Sequence, residues 1–258
     1  MFGRLLFAYG LSLLLLTADG CSAPPDFSRR PATGVTATAS PTPHAPIKYE
    51  SPILGKLVAA AVERTNHQVE YDPSYFKIDY PNGDVPAGKG VCTDEVIRSF
   101  RAVGVDLQQE VHEDMRDSFP LYPRKFGLTK TDPNIDHRRV PNLMTFFERK
   151  ARVLPLSGDA ADYAPGDVLT WDLGAGLTHI GIMVDVPSAT PGRFLIMHNI
   201  GAGPRLEDVL FSWKLTGHYR YTGPPPAAPP PNNSRPIATP RRSPGAQASR
   251  PALSAPEA

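Results

Sequence analysis

The sequence predicts an α+β domain in which N-terminal helices pack on a small antiparallel sheet. Three observations predict it. Apolar residues recur at helical spacing between 53 and 147, short alternating strands fill 168–222, and proline-rich stretches without apolar periodicity flank both ends. Helices followed by a run of short strands are the pattern of an α+β domain rather than an alternating α/β one.

The flanks come first. Arg4 is a short positive region and Leu5 to Leu16 an apolar run, shorter than the ~20 residues a spanning helix needs. Residues 1–20 therefore read as a signal peptide of the lipoprotein type. Ala18-Asp19-Gly20-Cys21 is similar to a lipobox, which implies a lipid on Cys21; an ordinary cleaved signal with an incidental cysteine, giving a secreted soluble protein, stays open. Residues 21–48 hold six prolines and 224–256 hold eleven. Such segments bury too little apolar surface to offset the entropy of ordering. Residues 21–48 are expected to be a disordered linker, 223–258 a disordered tail, and 49–222 the folded domain.

Within the domain, Ile53, Leu57, Val58, Ala61 and Val62 mark a first helix over 53–64. Tyr80-Pro81-Asn82-Gly83-Asp84-Val85-Pro86 is rich in turn formers. Gly88 and Gly90 lead into Cys92, and Val96, Ile97, Phe100 and Val103 then form a stripe that Gly104 closes. Leu107, Val111, Met115 and Phe119 mark a third helix before Pro120, and 120–141 is expected to be an irregular loop. Pro141 suits the first turn of a fourth. Four strands follow, over 168–173, 179–186, 194–198 and 218–222.

Composition excludes some functions. The net charge of +1 calls for no nucleic acid. No spacing resembling His-x-x-x-His suggests a metal, and no cofactor is expected. The cysteines point to a thiol function. Only Cys21 and Cys92 are present, and an exported chain normally pairs its thiols or lacks them. A buried cysteine acting as a small hydrophobe is the ordinary alternative. Cys92 at a helix start gains partial positive charge and free N–H groups, which favour thiolate and can hold an oxyanion. His179 opens a strand and can serve as base, with Gly181 leaving its face open to a helix end. His198, on the next strand, can fix the His179 tautomer.

The joint pattern resembles the NlpC/p60 superfamily of papain-like cysteine peptidases over residues 80–199. The segments that carry it are Val91-Cys92-Thr93-Asp94, Gly166-Asp167-Val168-Leu169, His179-Ile180-Gly181-Ile182 and Ile196-Met197-His198-Asn199. The flanks of Cys92 depart from the superfamily's usual Asp-Cys-Ser-Gly. Over 53–222 the chain is also similar to an uncharacterised bacterial family, domain of unknown function 1287. That likeness runs through 80–86, Gly90-Val91-Cys92-Thr93-Asp94, the stretch from Asn134 to Leu143, and the stretch from His198 to Pro204.

The resemblance implies a papain-like fold and an exported Cys-His-His hydrolase of amide bonds in peptidoglycan peptides. Cys92, His179 and His198 are its catalytic residues, and Tyr80 stands for the superfamily's tyrosine upstream of the thiol. Asp84 and Asn199 are further candidates for binding substrate or an oxyanion. His137 and Arg138 sit in a cluster that either grips a substrate carboxylate or forms an internal ion-pair set. The expected partners are a cell-wall peptide and, through Cys21, a membrane. Ser22 after Cys21 implies the outer membrane, with the periplasm the broader placement. Two alternatives remain: a thiol-dependent acyltransferase or lipid or thioester hydrolase on the same scaffold, and a catalytically inactive wall-binding lipoprotein.

Overall fold

The computed structural model describes residues 47–225. The signal peptide, Cys21, nearly all of the linker and most of the tail lie outside the described residues. Helix α1 (Pro52–Arg64) starts on Pro52 and buries Leu54, Leu57, Val58 and Ala61, a stripe at helical spacing. A two-residue parallel ribbon follows, pairing β1 (Glu70–Tyr71) with β2 (Lys89–Gly90). Helix α2 (Cys92–Arg101) is buried along nearly its whole length. Helix α3 (Leu107–Asp117) is capped by Asp106, whose side chain accepts from the Gln108 N–H. The stretch beyond it is irregular, with single 3-10 turns at Phe119–Leu121, Lys125–Gly127 and Asp136–Arg138. Helix α4 (Val140–Lys150) carries Pro141 in its first turn.

The sheet comprises β3 (Arg152–Val153), β4 (Val168–Gly174), β5 (Leu177–Pro187), β6 (Phe194–His198), β7 (Arg205–Glu207) and β8 (Lys214–Arg220). Their order is β3-β8-β4-β5-β6-β7, and every neighbouring pair is antiparallel. The domain is therefore a mixed α+β fold, four helices with an antiparallel sheet.

Alternation along the strands makes two cores. Val168, Ile180, Ile182, Val184, Met197 and Tyr219 face the helices and pack with Leu57, Val96 and Phe100. Leu169, Trp171, Met183 and Ile196 face the other way, under Tyr163, Val209 and Leu210. Both faces of β4 and β5 are thus covered, so Val168–Trp171 and His179–Val184 are buried without a break.

Two expectations change. The last strand runs Lys214–Arg220 rather than 218–222, because its first half offers one apolar residue, Leu215, among Lys214, Thr216 and Gly217, too little to show alternation. The ribbon β1–β2 and the strands β3 and β7 are two or three residues long, too short for any period to register.

Candidate active site

The ribbon and the first turn of α2 set the position of Cys92. Gly90 has φ +157, and a Cβ there would meet Asp94 Cβ at 3.1 Å and an Arg98 nitrogen at 3.2 Å. Asp94 Oδ2 accepts the Val91 N–H at 2.7 Å, closing the helix start. Arg138 then clamps Asp94 from 44 residues away: its Nε donates to Oδ1 at 2.8 Å and its Nη2 to Oδ2 at 3.1 Å. Thr93 Oγ1 donates to the Arg138 carbonyl at 3.0 Å.

The Cys92 thiol is buried, 4% exposed. Three backbone N–H groups face its sulfur, those of Ile180, Thr93 and Cys92 itself, and they favour the thiolate. Burial outweighs them and pushes the thiol up to about 12, with the Asp94 carboxylate adding to the rise. The depressed thiol expected of a helix start is therefore not what this closed site holds. Tyr71, on β1, stands close enough that the Cys92 and Asp94 charges add to the upward pull of burial on its hydroxyl.

His179 and His198 lie on the opposite face of the sheet from the helices, among Trp171 and Trp213. Their rings meet edge to face with centroids 5.1 Å apart, and His179 Nε2 is 2.9 Å from His198 Nδ1. Trp171 and Trp213 flank His179 at 5.9 Å and 5.8 Å between centroids. His179 is 2% exposed and His198 fully buried. Burial, then the neighbouring His198, holds His179 down to about 3, so the ring is neutral. His198 Nε2 lies 3.0 Å from Glu207 Oε2, off the line of a hydrogen bond.

Cys92 meets the sheet where β5 extends past its ladder with β6. Towards this end the β5–β6 ladder has its last partners at Ile182 and Met197, and the Ile180 amide beyond them turns to the Cys92 sulfur. The thiol therefore meets the His179–Ile180 peptide. Among the described residues no hydrogen bond joins it to the imidazole, and His179 Nδ1 makes none. Gly181 plays a different part from the one expected. A Cβ there would meet Ile196 Cγ2 at 2.7 Å, the Met197 carbonyl at 2.8 Å and His198 Cβ at 3.2 Å. Its missing side chain admits β6, and with it His198, instead of a helix end.

The other candidates divide. Tyr80 packs on α3, its ring 5.1 Å from that of His112 and its hydroxyl 3.5 Å from Glu113; the tyrosine at the thiol is Tyr71. Asp84 pairs with Arg98 at 2.9 Å and Arg101 at 3.5 Å. Arg138 spends its remaining donors on the Ser74 and Asp72 carbonyls, so it braces the thiol's helix from inside. Burial, then Arg138, holds the buried His137 down to about 3, and its Nδ1 has no partner. Asn199 is fully buried, accepting the Gly201 N–H at 3.1 Å with its Nδ2 unpartnered. Among the described residues no group of three His, Cys, Asp or Glu side chains is placed to hold a metal ion. Tyr71 and Glu207 escaped the sequence reading because each sits on a strand of two or three residues, too short to show a period, and Trp213 because it lies just outside a strand, before Lys214.

A family model described as a domain of unknown function (DUF1287) matches residues 58–221. An uncharacterised protein of Escherichia coli (strain K12), YijF, is 53% identical over 151 residues, covering 58% of this chain and 73% of the relative. No solved structure matches the chain.

Proposed function

The chain belongs to the DUF1287 family, and from that premise and the geometry around Cys92 we propose a cysteine hydrolase that cleaves amide bonds, with cell-wall peptides as substrate. The observation that carries the proposal is the His179–His198 pair, hydrogen-bonded at 2.9 Å, behind a peptide whose N–H faces the Cys92 sulfur. Two buried imidazoles are a costly way to fill space, and a thiol that merely fills a core needs no converging amides.

In the proposed reaction the Cys92 proton passes to His179 Nδ1 while the sulfur attacks the amide carbonyl. Backbone amides at the start of α2 and the Tyr71 hydroxyl are the donors near the developing oxyanion. The His179 imidazolium protonates the leaving amine, and the C–N bond breaks to leave a thioester on Cys92. Water, deprotonated by His179, hydrolyses the thioester; the proton returns to sulfur and the site is restored. The fold would then be the papain-like NlpC/p60 arrangement, an assignment supported by the helix-borne thiol and strand-borne histidines. Residues 1–21 support export and a lipid on Cys21, which metabolic labelling with a fatty acid tests against Cys21→Ser.

The experiment is incubation with purified muropeptides beside Cys92→Ala. Release of a new amine by the parent protein alone is expected; no fragment from either, across several wall chemistries, removes the cell-wall substrate. One observation favours a second reading, a wall-binding protein without catalysis: the thiol is only 4% exposed and held neutral. That reading requires Cys92 to stay unlabelled by iodoacetamide in the folded chain even when muropeptides are present.

A further inference from the structure

Two neutral imidazoles joined by one hydrogen bond can hold it in either sense. Between His179 Nε2 and His198 Nδ1, 2.9 Å apart, either ring can donate. Only one sense makes a base. With hydrogen on Nε2, His179 keeps its lone pair on Nδ1, the nitrogen without a hydrogen bond among the described residues. In the reverse sense Nδ1 carries the hydrogen, and no lone pair is left to take the thiol proton.

The far side of His198 supplies the choice. Strand β7 pairs Glu207 with Ile196 and Arg205 with His198, so Glu207 shares a sheet face with His198 and reaches it diagonally. Its Oε2 is 3.0 Å from His198 Nε2, a buried nitrogen with no hydrogen-bond partner in place. An ionised carboxylate only accepts. At 3.0 Å a carboxylate repels a lone pair on that ring nitrogen and favours a hydrogen there.

We propose that Glu207 is a positioning residue that sets the sense of the histidine pair. Its carboxylate keeps hydrogen on His198 Nε2. His198 Nδ1 is then an acceptor, His179 must donate from Nε2, and the lone pair is left on His179 Nδ1. The same carboxylate stabilises the imidazolium that forms when His179 is protonated. This role rests on the reading of His179 as the base for Cys92, but the tautomers can be read without any turnover.

The test uses the full chain labelled with 15N in its histidine rings. Resonances of His179 and His198 are assigned by His179→Asn and His198→Asn. The expected spectrum shows both rings protonated at Nε2 and bare at Nδ1. Glu207→Gln can donate as well as accept, and is expected to mix the two senses. Its Cys92 alkylation should slow about tenfold if the competent form falls to about a tenth of the population. Glu207→Asp, which keeps the carboxylate, should restore the parent tautomers and rate. A parent spectrum with hydrogen on His198 Nδ1 overturns the inference, and does so even where Glu207→Gln fails to fold. Unchanged tautomers in a folded Glu207→Gln overturn it too. If the tautomers shift as expected while no muropeptide is cleaved, the hydrolase reading fails and the role of Glu207 stands.

Discussion

Cys92 is pulled in opposite directions. The start of α2 and the Ile180 amide favour its anion, while burial and Asp94 oppose it, and the opposing pair wins with the thiol near 12. Iodoacetamide labelling of the folded domain is therefore expected to be slow near neutral pH. It should rise only at pH values above the free-thiol pKa of ~8.5, and unfolding should restore ordinary reactivity. A labelling midpoint at or below the free-thiol value would show that the amides, not burial, set this group. The resting site is a neutral thiol beside a neutral imidazole, so proton transfer has to accompany attack on a bound carbonyl instead of preceding it. Tyr71 bears on the same step. Removing one oxyanion donor costs about 10²–10³ in turnover in well-studied cases. With Tyr71 40% exposed, Tyr71→Phe is expected to lower muropeptide turnover by at least about tenfold and to shift stability by less than ~0.5 kcal/mol. Equal turnover in the variant would exclude the hydroxyl from the chemistry.

At the scale of elements, the site depends on clamps between segments far apart in sequence. The Arg138–Asp94 pair is 1% and 2% exposed and ties the 3-10 turn before α4 to the first turn of α2. Arg138→Met strands a buried carboxylate and is expected to cost about 3–5 kcal/mol, whereas Arg138→Met with Asp94→Asn should cost less than the single change. Urea midpoints of the two variants decide it, and a double variant no more stable than the single would show that the charge is not the cause. Gly181 joins two elements in a different way. A methyl there must push β6 from β5, so Gly181→Ala is expected to destabilise by about 1–3 kcal/mol and to loosen the His179–His198 contact. These clamps mark the boundary of what was legible in the sequence. The α2 start could be read because Gly88, Gly90 and the Val96–Ile97–Phe100 stripe are local, and the two histidine strands because both alternate. Arg138 and Asp94 stand 44 residues apart, and nothing local chooses between a clamp and a substrate grip. Gly181 was assigned to the correct face but to the wrong neighbour, because strand order is a tertiary fact. Tyr71 stayed hidden, and Tyr80 stood in for it, because a two-residue strand has no period.

For the molecule as a whole, acid stability follows from two imidazoles folded away in neutral form. Burial is the first cause in both, and His137 and His179 each stand at about 3, against an unfolded value of ~6.5. Between those values the unfolded chain binds more protons. Stability is therefore fully present above about pH 6.5 and lost as pH falls towards about 3, by up to about 1.4 kcal/mol per pH unit for each group. Asp114, lowered to about 2 by hydrogen bonds from Arg149, Lys150 and Tyr122 against burial, loses its contribution in the same direction but at lower pH. Glu110 and Asp136 act in the opposite sense, since burial raises them and their stability is lost as pH rises. A total profile mixes these contributions, but a difference profile separates one. His137 touches none of the reacting groups, and its Nδ1 has no partner to lose. His137→Asn should flatten the fall in the urea midpoint between about pH 6 and about pH 4.5 by roughly the share of one group, while leaving Cys92 alkylation at neutral pH unchanged. A parallel fall in the two proteins would mean that His137 is charged in the folded domain and that its burial beside Arg138 is offset by a group that reaches its ring.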